Sequence, residues 1–157
     1  MWTSEMVKNK LHRDCNMNAY GHSWLHFNMT SEQMFKRMKD ENKTNVSSFT
    51  VDKNILENDF LITIDDWSED IADWLNDNDF SEENLKISMF HEFDNVIGNV
   101  ISKEKWSNKN EVYQGSLLII VLKKYITKTN DVNFKIITSY CDLTDDEKEI
   151  EIKKRGI

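Results

Sequence analysis

The chain has 157 residues, of which 31% are charged and 39% are hydrophobic, and its formal net charge is −8. This length and composition predict one globular domain, residues 1–157, and exclude an intrinsically disordered chain. The longest apolar run, SLLIIVL at 116–122, is too short for a membrane span, and two cysteines are too few for a disulfide scaffold. We expect the thiols of Cys15 and Cys141 to be free, with a single disulfide between them as the alternative.

The negative charge is concentrated in one part of the sequence. Residues 44–100 carry 14 Asp or Glu and only 2 Lys or Arg, whereas residues 1–43 and 101–135 are net positive. We call residues 44–100 the acidic block. A polyanion is expected to bind the positive segments, and the acidic block is either a solvated surface or a binding surface for a basic partner.

The first predicted helix follows an N-terminal segment of low apolar content. Residues 1–17 lack the apolar core of a secretory signal and are assigned to a leader or linker. Thr30 and Gln33 have the spacing of a capping box, which predicts a helix that begins at Ser31. Arg37 lies beside the apolar stripe of this helix, which consists of Met34, Phe35 and Met38.

Two further helices are predicted in the acidic block. Thr50 or Asp52 caps the first, whose apolar face consists of Ile55, Leu56 and Phe60. The second has apolar residues with i, i+4, i+7 and i+8 spacing, which are Trp67, Ile71, Trp74 and Leu75. The polar segment 76–79 is expected to end it.

The second half of the chain has the alternating pattern of β-strands. Strands are predicted at 85–90, 96–101, 116–126 and 134–141. Gly98 is expected to form a bulge or bend, the centre of 116–126 is expected to be buried on both faces, and 127–133 joins the last two strands as a hairpin. The C-terminal residues 144–157 are either an edge strand or a tail. Helices followed by antiparallel strands predict an α+β domain.

Several short motifs occur in a recognisable order along these elements. His26 precedes the capped helix, Arg37 lies eleven residues further on, and Thr138 and Tyr140 share one face of the last strand. SSFT at 47–50, IADWL at 71–75 and IGNVIS at 97–102 lie between them. In this order and spacing, residues 18–143 resemble the bacterial ribonuclease toxin domain at the C-terminus of contact-dependent growth inhibition proteins of the CdiA type. That family usually has a small residue, often glycine, where this chain has Asn28.

The resemblance implies a fold, a site and partners. The fold would be pancreatic-ribonuclease-like, with N-terminal helices on a curved antiparallel sheet and no scaffold disulfides. The catalytic residues would be His26, Arg37, Thr138 and Tyr140, with His22 as an auxiliary candidate. The domain would be exported within a larger bacterial toxin protein, would cut RNA such as tRNA in the cytoplasm of a target cell, and would be blocked by a cognate immunity protein. Outside that complex a monomer is expected.

These residue types suit RNA cleavage on chemical grounds as well. RNA carries its own nucleophile, the 2′-hydroxyl, so the protein needs only proton transfer and donors to the phosphate. Histidine titrates near neutral pH, and arginine presents a planar fork that matches phosphate. The product would be a 2′,3′-cyclic phosphate, and we expect no metal or cofactor.

Two other interpretations are compatible with the sequence. His12, Cys15, His22 and His26 form the pattern H-x2-C-x6-H-x3-H, which is a plausible set of zinc ligands although it matches no common zinc finger. Alternatively, the chain is a non-catalytic binding module that uses the acidic block as its contact surface.

Overall fold

The computed structural model describes residues 1–14 and 27–156. Within them the helices are α1 (Ser4–Asp14), α2 (Ser31–Asp40), α3 (Lys53–Asn76) and α4 (Asp145–Lys154). The strands are β1 (Asn45–Phe49), β2 (Lys86–Glu92), β3 (Gly98–Ser102), β4 (Tyr113–Gly115), β5 (Leu117–Ile126) and β6 (Val132–Asp142). They form two three-stranded antiparallel sheets with strand orders β1-β3-β4 and β2-β5-β6. The predicted α+β class is therefore confirmed.

The described residues divide into two compact units. The first unit contains residues 1–14, 52–90 and 119–139, and the second contains residues 27–51, 91–118 and 140–156. Helices α1 and α3 belong to the first unit, and α2, α4 and the sheet β1-β3-β4 belong to the second.

In the first unit, the N-terminal segment is a packed helix. Helix α1 lies against α3, and its residues Val7 and Leu11 are buried. The indole Nε1 of Trp2 donates a hydrogen bond to Val132 O at 3.0 Å, which fixes the start of the chain. Residues 4–14 of the segment that was assigned to a leader or linker therefore form a packed helix of the first unit.

Helix α3 is a single helix of 24 residues, where the sequence predicted two. No glycine or proline interrupts it, and Thr63 and Ile64 are buried between the two predicted apolar stripes. The buried face of α3 is therefore continuous from Leu56 to Leu75. Ile55, which was predicted on this face, is instead 51% exposed, whereas Leu56 is fully buried.

Strand β5 pairs with β6, as the predicted hairpin requires, and on its other side with β2, for which no partner was predicted. Hydrogen bonds from Lys124 N to Leu85 O (3.1 Å) and from Phe93 N to Ser116 O (2.9 Å) align β2 antiparallel to β5. The turn after β5 closes the predicted hairpin. Only one face of β5 is fully buried, and it consists of Leu118, Ile120, Leu122 and Lys124. The expectation of burial on both faces is therefore wrong, because the opposite face is only partly covered.

Lys124 is a buried cation at the C-terminal end of α3. Its Nζ donates hydrogen bonds to Trp74 O at 2.9 Å and to Asp77 O at 3.1 Å, and it lies over the Phe80 ring. A cation at this position complements the negative end of the helix dipole. Burial lowers the pKa of Lys124, and the carboxylates of Asp77 and Asp79 oppose that shift.

In the second unit, α2 begins at Ser31 as predicted. Thr30 accepts a hydrogen bond from Gln33 N, and the Gln33 side chain accepts one from Thr30 N, so the capping box is complete. The helix packs against β1 through a buried cluster. That cluster consists of Met34, Met38, Val46 and Ile101.

Gly98 lies in regular register, opposite Phe49, and does not form the predicted bulge. A Cβ at this position would overlap the Sγ of Cys141 and the backbone oxygen of Ser48. Glycine is therefore needed for a close approach of three strands. Cys141 itself is a buried free thiol, whereas Cys15 lies outside the described residues.

The C-terminal segment forms helix α4, neither an edge strand nor a tail. Thr144 and Glu147 form a second complete capping box at its start. At its end, Arg155 donates hydrogen bonds to the backbone oxygens of Lys105 and Trp106. No helix in the described ranges has the length and apolar content needed to cross a membrane.

Candidate active site

The predicted site residues are distributed over α2, β6 and a segment for which the structure gives no description. Arg37 lies on α2 in the second unit, Thr138 lies on β6 in the first unit, and Tyr140 lies on β6 in the second. His26 and the auxiliary candidate His22 lie outside the described residues. The structure thus places Thr138 and Tyr140 on one strand, and Arg37 and Tyr140 in one unit.

The chain enters α2 beside the end of β1. Phe27 forms a parallel bridge with Phe49, and Asn28 N donates to Phe49 O at 2.9 Å. Asn28 has a φ of 54°, in the left-handed region that glycine and asparagine adopt most readily. Asparagine at this position is therefore compatible with the glycine that the resembled family usually has. Met29 N then donates to the Oγ of Ser48 at 2.8 Å.

Arg37 is a largely buried cation whose hydrogen bonding is incomplete. Its side chain is 19% exposed, and its Nε lies 2.7 Å from the Oε2 of Glu41, one helical turn further on. The Nε makes no hydrogen bond within the described residues, because its N–H is not aligned with that carboxylate. The Glu41 carboxylate therefore occupies the Nε edge of the guanidinium, and an anion bound to Arg37 would accept hydrogen bonds from its terminal nitrogens.

The end of β6 is fixed by its buried face. Cys141 N donates to the Oγ of Ser47 at 3.3 Å, and the Cys141 Sγ lies 3.8 Å from Ser48 O and 3.7 Å from Asn99 O. Tyr140 points to the opposite face and is 40% exposed. Strand β1 is therefore contacted both by the helix that carries Arg37 and by the strand end that carries Tyr140.

The surroundings of Tyr140 favour the neutral phenol. Burial raises its pKa above the usual 10.0, the Asp142 carboxylate raises it further, and Lys148 lowers it. Asp142 and Lys148 form an ion pair at 3.1 Å. The phenol is therefore protonated at neutral pH and can donate a hydrogen bond.

Sequence reasoning missed three charged residues next to the predicted site residues. Asp142 continues the row of Thr138 and Tyr140 on β6, and alternation along the strand would have found it. Lys148 was missed because α4 was not predicted. Glu41 was missed although its position, four residues after Arg37, is a recognised pair spacing in helices.

Of the four residues proposed as zinc ligands, the structure describes only His12. His12 Nε2 lies 2.8 Å from the Oδ1 of Asp65, and its three partners in the proposed zinc set lie outside the described residues. Among the residues that are described, no group of three or more His, Cys, Asp or Glu side chains could hold a metal ion.

The comparisons agree with an RNase A-like domain. More particularly, residues 21–141 match the family model described as the bacterial CdiA-CT RNase A domain, and the chain belongs to that family. Its members are ribonuclease toxins of contact-dependent growth inhibition, so the predicted family is confirmed.

A solved structure supports the fold assignment. A chain in the crystal structure of a CdiA-CT/CdiI complex from Y. kristensenii matches with a TM-score of 0.60 and 20% sequence identity. The match covers 77% of the present chain and 97% of the other. At this identity the likeness concerns the fold alone. No curated protein matches the chain.

Proposed function

We propose that this ribonuclease toxin is a metal-independent endonuclease that uses the 2′-hydroxyl of its RNA substrate as the nucleophile. The 2′-oxygen attacks the adjacent phosphorus, the bond to the 5′-oxygen breaks, and the products are a 2′,3′-cyclic phosphate and a free 5′-hydroxyl. The 2′-hydroxyl proton goes to a base, and the 5′-oxygen takes a proton from an acid.

The observation that carries this proposal is the pairing of Arg37 at one edge only. Among the described residues, this largely buried guanidinium has an ion pair only at its Nε, with Glu41, and its terminal nitrogens are suited to bind a phosphate anion. In this role Arg37 donates to the phosphoryl oxygens and stabilises the negative charge that they gain in the transition state.

The other site residues supply proton transfer and orientation. His26 acts as base or acid, since an imidazole exchanges protons near neutral pH. The neutral phenol of Tyr140 donates a hydrogen bond to the phosphate or orients the imidazole, and the Thr138 hydroxyl, on the same face of β6, does the same. His22 is the candidate for the second acid–base group.

The biological setting follows from the family. We propose that the domain is exported within a larger bacterial toxin protein, acts in the cytoplasm of a competitor cell with tRNA among its substrates, and is inhibited by a cognate immunity protein. The solved relative is described as a complex of CdiA-CT with CdiI, which supports a partner of this kind. The acidic block is proposed as its contact surface. Exposed carboxylates follow the solvent side of α3 there, at Asp66, Glu69, Asp70 and Asp73.

The test is cleavage of a defined RNA oligonucleotide by the purified protein. Cleavage should persist in EDTA and should leave a 2′,3′-cyclic phosphate that mass spectrometry identifies. A matched substrate with one 2′-deoxy nucleotide at the cleavage site should remain intact there. Cleavage of the deoxy substrate at a comparable rate would exclude the 2′-hydroxyl mechanism, and complete loss of activity in EDTA would indicate a metal-dependent reaction.

A further inference from the structure

Glu41 occupies a position where a carboxylate does not stabilise its own helix. It is the C-cap of α2, and its backbone N–H donates to Arg37 O at 3.0 Å. The C-terminal end of a helix carries partial negative charge, which disfavours a carboxylate. In addition, an i,i+4 ion pair is more favourable when the acid precedes the base, and in this pair Glu41 follows Arg37. Helix stability therefore does not account for this pair.

The contact between the two side chains lies on one edge of the guanidinium. Glu41 Oε2 is 2.7 Å from the Nε of Arg37, and that nitrogen is shielded from solvent. A guanidinium has five N–H donors in a fixed plane, so a carboxylate at the Nε edge restricts rotation of that plane. Within the part of the chain that the structure describes, the terminal nitrogens form no other ion pair, and they can donate to a phosphate.

We propose that Glu41 is a positioning residue, which holds the guanidinium of Arg37 by its Nε edge so that the terminal nitrogens meet the reacting phosphate. This inference rests on the proposed function, in which Arg37 binds that phosphate. The Nε–H is not yet aligned with Glu41 in the free protein. Hydrogen bonds of catalytic sites are often poorly aligned before the substrate binds and tighten in the complex.

The first experiment measures steady-state cleavage of the RNA oligonucleotide by Glu41→Gln. We expect kcat to fall about tenfold while KM changes less than about twofold, because misorientation of a catalytic group slows the chemical step. The melting temperature should stay the same or rise, since the substitution removes a negative charge from a helix C-terminus. A purely stabilising role of Glu41 predicts the opposite, a lower melting temperature with unchanged kcat.

Two matched variants control for charge and for the loss of an ion pair. Asp40→Asn makes the same charge change at the neighbouring exposed position of α2. Glu149→Gln removes the acid of another i,i+4 pair, in which Glu149 lies 3.5 Å from Lys153. Both should retain full kcat. A tenfold loss in Asp40→Asn would attribute the effect to general charge and overturn the proposal.

A double-mutant cycle tests whether Glu41 acts through Arg37. In the Arg37→Ala background, measured in single turnover with excess enzyme, Glu41→Gln should cause no further loss. The same tenfold loss in that background would overturn the inference. If Arg37→Ala is inactive and Glu41→Gln is fully active, only the role of Glu41 fails. If Arg37→Ala is fully active, the proposed role of Arg37 fails as well.

Discussion

At the residue scale, His26 and Arg37 are expected to act on one transition state. His26→Ala should lower kcat by about 10²–10⁴ without lowering the melting temperature, because it removes a proton-transfer group. Arg37→Ala should cause a loss of similar size. The double variant should lose much less than the product of the two single losses, since both residues act on the same phosphate. Rates are measured on the RNA oligonucleotide, and melting is followed by circular dichroism.

Three results would contradict the proposed roles of His26 and Arg37. A fully active His26→Ala would remove His26 from the mechanism. Loss of activity together with a lower melting temperature would assign it a structural role. Multiplicative losses in the double variant would mean that the two residues contribute to separate steps.

Tyr140 is expected to contribute as a neutral hydrogen-bond donor. Tyr140→Phe removes only the hydroxyl and should lower kcat about tenfold, which corresponds to the loss of one hydrogen bond. Burial and Asp142 raise the pKa of Tyr140 above 10.0, so the phenol stays protonated as the pH rises to 9. The ratio of wild-type to variant kcat should therefore be constant between about pH 6 and 9. A ratio of wild-type to variant kcat that falls to about 1 towards pH 9 would indicate that the phenol ionises in that range.

The sequence made the elements that carry three of the candidate site residues predictable. The positions of Arg37, Thr138 and Tyr140 follow from local rules, namely a capping box and strand alternation. The long-range contacts could not be predicted, because Ser47, Ser48 and Asn99 meet Cys141 only through strands that are distant in the chain.

At the scale of elements, Lys124 connects β5 to the end of α3. Lys124→Met removes the ammonium that donates to Trp74 O and Asp77 O, and we expect the free energy of unfolding to fall by about 2 kcal/mol. Lys123→Met is the matched control on the partly exposed face of the same strand and should change stability by less than about 0.5 kcal/mol. Urea unfolding of both variants measures the difference. Equal stability of the two would mean that the capping contact contributes nothing.

Local sequence signals predicted only some of the helix boundaries. The capping box of Thr30 and Gln33 located the start of α2 at Ser31. Thr144 and Glu147 have an equivalent spacing, but residues 144–157 were predicted as an edge strand or a tail, and α4 was not predicted. The apolar residues of α3 form two separate stripes, which predicts two helices, but no glycine or proline lies between them to end the first. Which stripe is packed depends on partners such as α1, which local sequence does not specify.

At the scale of the whole molecule, the net charge of −8 limits how many phosphates can be bound. We expect RNA to contact the positive segments 1–43 and 101–135 and to avoid the acidic block. The affinity of the inactive His26→Ala variant for the oligonucleotide should fall with salt, with a shallow slope of log K against log salt. Arg37→Ala should reduce that slope by about 0.7, the value for one phosphate on a single strand. A slope that corresponds to about eight or more phosphates would show that RNA binds elsewhere.

The reactivity of the buried Cys141 thiol can be used to measure local opening of the protein at the end of β6. Burial raises the pKa of Cys141 to about 12, so near neutral pH the thiol in the closed structure is both protonated and covered. Alkylating reagents require an accessible thiolate, so they can modify Cys141 only while the end of β6 is separated from Ser47 and Ser48. In a Cys15→Ser variant the rate of alkylation would therefore measure how often these strands come apart.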